Sequence, residues 1–124
     1  MGTRSTVKFY ENFGEKDELI LSVYHQYGGY IDGIGYKLAN FIKNAKMING
    51  ICDQTMEEGY ANGIGCLAAQ YVKKFKTRIG GLYLTDANDK QEYNYEVRFI
   101  DGNFQIKVDD LFVGTFDELL AFQE

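Results

Sequence analysis

A chain of 124 residues, with 45% hydrophobic and 25% charged side chains, has room for one core and not two, and its composition excludes global disorder. A net charge of -5 and a pI near 4.9 argue against a nucleic-acid backbone or an anionic membrane as partner, because both attract a basic footprint. The same charge suits docking onto a basic protein surface.

Residues 5–11, Ser-Thr-Val-Lys-Phe-Tyr-Glu, alternate in character and read as a half-buried strand. The polar stretch 12–18, with Gly14 inside it, reads as a hairpin loop. In residues 19–27, Leu19, Leu21, Val23, His25 and Tyr27 fall on one strand face, the better core candidate, and Ile20, Ser22, Tyr24 and Gln26 on the other. Gly28-Gly29 ends that strand.

An internal repeat follows. Gly29-Tyr30-Ile31-Asp32-Gly33-Ile34-Gly35 returns thirty residues later as Gly59-Tyr60-Ala61-Asn62-Gly63-Ile64-Gly65, and Ala39/Ala69, Lys43/Lys73, Lys46/Lys76 and Gly50/Gly80 keep the offset. The reading is two copies, 29–50 and 59–80, of a glycine turn that launches a helix. Asp32 takes the N-cap of the first helix, expected over 33–45 with Leu38, Phe41, Ile42 and Ala45 inward. Asn62 caps the second, whose apolar stripe is Leu67, Ala68, Tyr71, Val72 and Phe75, with Lys73, Lys74 and Lys76 near its C-terminus, where cations suit the dipole. Between them, 46–51 reads as a short extended piece and 52–58 as a polar loop. Cys52 and Cys66 lie outside any metal-ligand spacing and read as reduced thiols, with Cys66 buried on its helix.

After Gly80-Gly81, residues 82–85 read as a strand closed by a turn-rich acidic loop, 86–91. Residues 92–100 alternate again, and Asp101-Gly102 is a strong hairpin signal before a return strand at 104–108. Residues 111–113 extend the sheet, and Thr115 caps a short helix at 116–122. The expected fold is therefore one α+β domain over residues 1–124. Its mostly antiparallel sheet holds the two turn-helix units between an N-terminal and a C-terminal hairpin, with a short C-terminal helix last. An exposed sheet edge is an expected route to homo-oligomers.

The repeated Gly-Ile-Gly turns are the sharpest chemical feature. Glycines at a helix start let backbone N–H groups approach an anion, so Gly33, Gly35, Gly63 and Gly65 with Asp32 and Asn62 form a candidate phosphate cradle. Tyr27, Tyr30, Tyr36 and Tyr60 offer stacking faces, and Arg4 a planar fork for an anion or a partner carboxylate. The alternative is that these glycines permit close packing and the tyrosines fill the gap. His25, the single histidine, reads as a hydrogen-bonded strand residue, since nothing in the spacing brings a cysteine to it. No catalytic residue, metal site or cofactor is expected. The acidic clusters at 57–58, 86–89 and 109–110 read as solvated loops.

The segments Met1-Gly2-Thr3-Arg4-Ser5, YHQYGGY at 24–30, Asp32-Gly33-Ile34-Gly35 and NGIGCLAAQ at 62–70 resemble a group of small proteins encoded by phages and prophages. The resemblance covers roughly residues 1–85. Gly28 stands where an acidic residue is usual in that group, and a proline is missing after the strand that starts at Leu82. What the resemblance implies is a setting: a small, non-enzymatic accessory protein that inhibits a bacterial defence system, in the manner of an anti-CRISPR, by binding one component through its acidic, tyrosine-rich surface. The competing expectation is a protein that sequesters a phosphate-bearing nucleotide at its two glycine turns. No apolar run reaches the ~20 residues of a membrane helix, and the first residues lack a signal-peptide core, so the expected location is the cytoplasm of the bacterial host.

Overall fold

The computed structural model describes residues 3–13, 15–48 and 59–123. β1 (Ser5–Phe13) and β2 (Lys16–His25) pair antiparallel. The ladder runs through the segment expected as a loop, since Asn12 pairs with Asp17 and Phe13 with Lys16. Backbone pairing needs no apolar side chain, so the hairpin extends into solvent with polar residues on it.

The register slips between Phe9 and Tyr10, which face Leu21 and Leu19, and Ile20 becomes the extra residue of a bulge. A bulge reverses the faces beyond it. Leu19 thus sits opposite Tyr10, and Ile20 turns toward the first turn of the second helix, where its Cγ2 lies 3.9 Å from the Cβ position of Gly65. Tyr27, expected inward, is 50% exposed because the strand ends at His25.

A π-helical turn, Ile31–Gly35, runs directly into α1 (Tyr36–Lys43). α2 spans Gly63–Phe75 and buries Ile64, Leu67, Ala68 and Tyr71. Cys66, expected inside, is exposed, because it falls on the outer side of that stripe. Between the helices, β3 (Lys46–Ile48) and β4 (Tyr60–Asn62) pair in parallel. The remainder of the expected 46–51 piece, the 52–58 loop and Cys52 lie outside the described residues.

β5 (Leu82–Thr85), β6 (Tyr93–Ile100), β7 (Asn103–Val108) and β8 (Phe112–Gly114) precede α3 (Phe116–Leu120). Asp101 and Gly102 both adopt positive φ, 52° and 81°, as a two-residue hairpin turn with matching twist requires. Thr115 and Glu118 form a reciprocal capping box on α3.

The main sheet has six strands in the order β5-β2-β1-β6-β7-β8, antiparallel throughout except for the central β1–β6 pair. The fold is mixed α+β. Helix α2 packs on one face, with the Tyr71 ring 5.3 Å from Phe9. Because β5 and β6 sit on opposite sides of the β2–β1 pair, residues 86–92 must cross the other face, and the Lys8 ammonium donates to the Asp89 carbonyl there at 2.7 Å. β1 is therefore covered on both sides. Ser5, Thr6, Val7, Lys8 and Phe9 are all buried, where alternation alone implied a half-buried strand. The apolar face collects Val7, Phe9, Val23, Tyr95, Val97 and Ile106 against Leu38, Ile42, Leu67 and Tyr71. No helix among the described residues is long and apolar enough to cross a membrane.

Candidate functional site

The two copies of the sequence repeat adopt different backbone conformations at their turns. In the first, Gly33 has ordinary φ and packs so tightly on the Gly28 carbonyl oxygen that a Cβ would overlap it. Its amides are engaged within the chain: Gly33 N–H and Gly35 N–H donate to the Tyr30 carbonyl at 2.9 and 3.3 Å, and Ile34 N–H to Gly28 at 2.8 Å. Gly35 lies against the Tyr95 ring, whose hydroxyl donates to the Gly29 carbonyl at 2.7 Å. These donors have no capacity left for phosphate.

In the second copy Gly63 takes φ +85°, a left-handed conformation, and opens α2 directly. Asn62 holds the N-cap position, yet its side chain accepts no hydrogen bond from the helix amides. Asp32 likewise caps nothing, because Tyr30 is the cap residue of its turn. Asn62 and Gly63 line a concavity of about 350 Å³ that also contains the Glu11 carboxylate, an unsuitable wall for an anion. Gly65 is exposed inside α2. Tyr60 begins β4, with the Lys46 ammonium 5.3 Å from its ring centroid. Arg4 is an exposed residue ahead of β1, and its carbonyl accepts from Tyr93 N–H at 3.3 Å.

Three of the expected residues do converge. Tyr30, Asp32 and Tyr36 line one concavity of about 600 Å³, together with Ile31, Phe122 and Gln123. The Tyr36 hydroxyl donates to the Phe122 carbonyl at 2.7 Å, which joins the chain's end to α1, and Phe122 packs edge-on against Phe112 at 5.3 Å. Tyr30 is 52% exposed and stands edge-on to Tyr93 at 5.8 Å. Asp32, exposed, is the charged member of this wall and has no ion-pair partner among the described residues.

No family model, curated protein or solved structure matches the chain.

On the other side of the π-helical turn lies a cleft of about 450 Å³ with the opposite charge. Lys37 of α1, Lys74 of α2 and Arg78 beyond it line the cleft with His25, Tyr27 and Thr77. Tyr27 is the one expected site residue that it includes. His25, 5% exposed, shares a 2.8 Å hydrogen bond between Nε2 and the Tyr71 hydroxyl. Burial first, then the Lys37 charge, lowers its pKa to about 4, so the imidazole is neutral at physiological pH. Burial pushes the Tyr71 phenol well above its usual range, which keeps that group protonated. The neutral pair is a hydrogen bond within a ring cluster, with Phe75 and Phe41 packed on Tyr71 at 4.3 and 5.3 Å. Cys66 is remote from it in contact terms: its sulfur neighbours Gln70 on the outer face of α2.

A place near a helix C-terminus, where cations are expected anyway, accounts for Lys74, and no local pattern in the sequence marks Lys37 or Arg78. Only the packing of α1 beside the end of α2 brings Lys37 to the other two.

Proposed function

We propose that the protein is a non-enzymatic accessory protein of a phage or mobile element that inhibits a bacterial defence system by binding one of its components. The observation that carries this reading is the concavity where Tyr30, Asp32, Tyr36 and Phe122 meet. A carboxylate among phenol rings and apolar walls is complementary to an arginine or lysine side chain. The carboxylate pairs with the charge, the ring faces attract it, and the apolar walls receive the alkyl stem. A buried arginine anchored in this way is the kind of contact that dominates interface energies. The net charge of -5 steers a basic partner toward the molecule. The phage setting rests on the resemblance of residues 1–85.

The test is expression of the chain in bacteria that carry a panel of defence systems, with phage plating as readout, followed by titration against the purified component of any system that is silenced. Asp32→Lys with Tyr30→Ala is expected to weaken that binding roughly 30-fold, the loss of about 2 kcal/mol that marks a hot spot, without lowering the melting temperature. Failure to silence any member of the panel, or full activity of the double variant, overturns the reading.

A further inference from the structure

The cationic cleft is unexplained by a partner that docks at Asp32. It lies across the π-helical turn, is lined by no carboxylate among the described residues, and gathers three cations in a protein of net charge -5. Ion pairs elsewhere consume Lys43 and Arg98, yet none of the ion pairs among the described residues involves Lys37, Lys74 or Arg78. Like charges held together without a counter-charge repel one another, and that cost is relieved when an anion enters.

We propose that this cleft binds a small phosphate-bearing anion, with Lys37, Lys74 and Arg78 as its charge partners and Thr77 as a neutral hydrogen-bond donor. Its volume is in the usual range for a small-ligand site. The end of α2 opposes an anion with a partial charge of roughly -0.5. Three full positive charges outweigh it. Arg78 is held over the Tyr27 ring at 4.7 Å from guanidinium carbon to centroid, which fixes the fork at the mouth and leaves its edges for phosphate oxygens. At the floor, His25 gives Nε2 to Tyr71, while its other ring nitrogen has no hydrogen-bond partner among the described residues. His25 lines the cleft, whose other lining residues include no carboxylate, so an anion there would be its only negative neighbour and occupancy favours the imidazolium.

Calorimetric titration with pyrophosphate, ADP and a short oligothymidylate at low ionic strength tests the proposal. Saturable one-to-one binding of pyrophosphate or ADP is expected, weakened at least tenfold in Lys74→Ala/Arg78→Ala and unaltered in Asp32→Lys. All three of these cations are exposed, so the variants should fold, and circular dichroism checks that they do. The His25 ring resonances are expected to titrate at higher pH when pyrophosphate is present. Tyr27→Ala separates two sources of the same chemistry: a larger loss for ADP than for pyrophosphate assigns the ring to a stacked base, and equal losses assign the site to the phosphate group alone. No binding at up to about 1 mM of either probe, where a site of even modest affinity would fill, overturns the proposal. So does retention of affinity in the double variant, or binding of the oligonucleotide without either small anion. The basic-partner reading survives each of those outcomes, since its variant and readout are separate.

Discussion

Gly33 and Gly63 occupy equivalent places in the repeat and serve different physical ends. A methyl group at Gly33 meets the Gly28 carbonyl, a backbone atom that moves only if the Gly28 N- and C-terminal neighbours move with it. At Gly63 a methyl group meets open space, and the cost is the positive φ alone. Overpacking against backbone costs typically 1–3 kcal/mol and a left-handed alanine roughly 1–2. Gly33→Ala should therefore destabilise by about 2–3 kcal/mol and Gly63→Ala by about 1, as measured by urea denaturation. His25 gives a second prediction at this scale. It is buried beside Tyr71 and Phe75, with Lys37, Lys74 and Arg78 facing it across the cleft, and its folded pKa is near 4 against an ordinary 6.5. The unfolded chain thus takes up a proton first as pH falls. The stability that neutral His25 contributes is complete above pH 6.5 and declines from there through about pH 4, by roughly 3 kcal/mol in all. Melting temperatures recorded from pH 7.5 to 4 should fall accordingly, and His25→Gln should remove most of the decline between pH 6.5 and 5.

The elements divide by the range of the information that specifies them. The C-terminal hairpin, the α2 stripe and the Thr115 cap were legible because a period-two pattern, a 3.6-residue pattern and a capping box are each written within a few residues. The crossing of residues 86–92 was not, because Lys8 and Asp89 are joined by a hydrogen bond between positions 81 apart in sequence. Lys8 is 4% exposed, also donates to Thr6 Oγ1 at 3.1 Å, and has its pKa lowered chiefly by burial, against the raising effect of Asp89 and Glu96. A lysine in an alternating strand reads as solvent-facing; the covering loop makes it an internal strut. Lys8→Met keeps the stem and leaves the Asp89 carbonyl without this donor, so the expected loss is about 1–3 kcal/mol. Faster amide hydrogen exchange should appear over residues 86–92 and not over α2. The candidate site divides in the same way. Tyr30, Asp32 and Tyr36 fall in one short local stretch of the chain and so could be grouped from sequence, whereas the Lys37, Lys74 and Arg78 group depends on helix packing that no local pattern encodes.

At the scale of the whole molecule, one wall made of the π-helical turn and α1 separates two concavities of opposite charge, and the chain's end closes only one of them. Ile31 and Asp32 face the acidic side with Phe122, while Ile34 and Lys37 face the basic side with Arg78. The acidic side depends on Phe122 and Gln123, which follow α3; α3 itself is joined to α1 by the Lys43–Asp117 pair at 3.6 Å, and the segment after it by the hydrogen bond from Tyr36 to the Phe122 carbonyl. That ion pair is exposed and worth little, so the Phe122 ring against Phe112 is the contact that seats this end of the chain. Phe122→Ala removes the ring and loosens the carbonyl that Tyr36 uses. Since the ring is only half-buried, the expected cost is about 1–2 kcal/mol, less than the 3–5 typical of a core phenylalanine. The functional effect should be one-sided. Binding of a basic partner at Asp32 should weaken, because the concavity loses a wall, whereas pyrophosphate affinity at Lys37, Lys74 and Arg78 should stay within twofold, because neither Phe122 nor any residue of α3 lines that cleft. Titration of one Phe122→Ala preparation against both ligands checks this. Equal losses would mean that the wall does not keep the two sides independent, and unchanged binding of both would remove the chain's end from the partner surface.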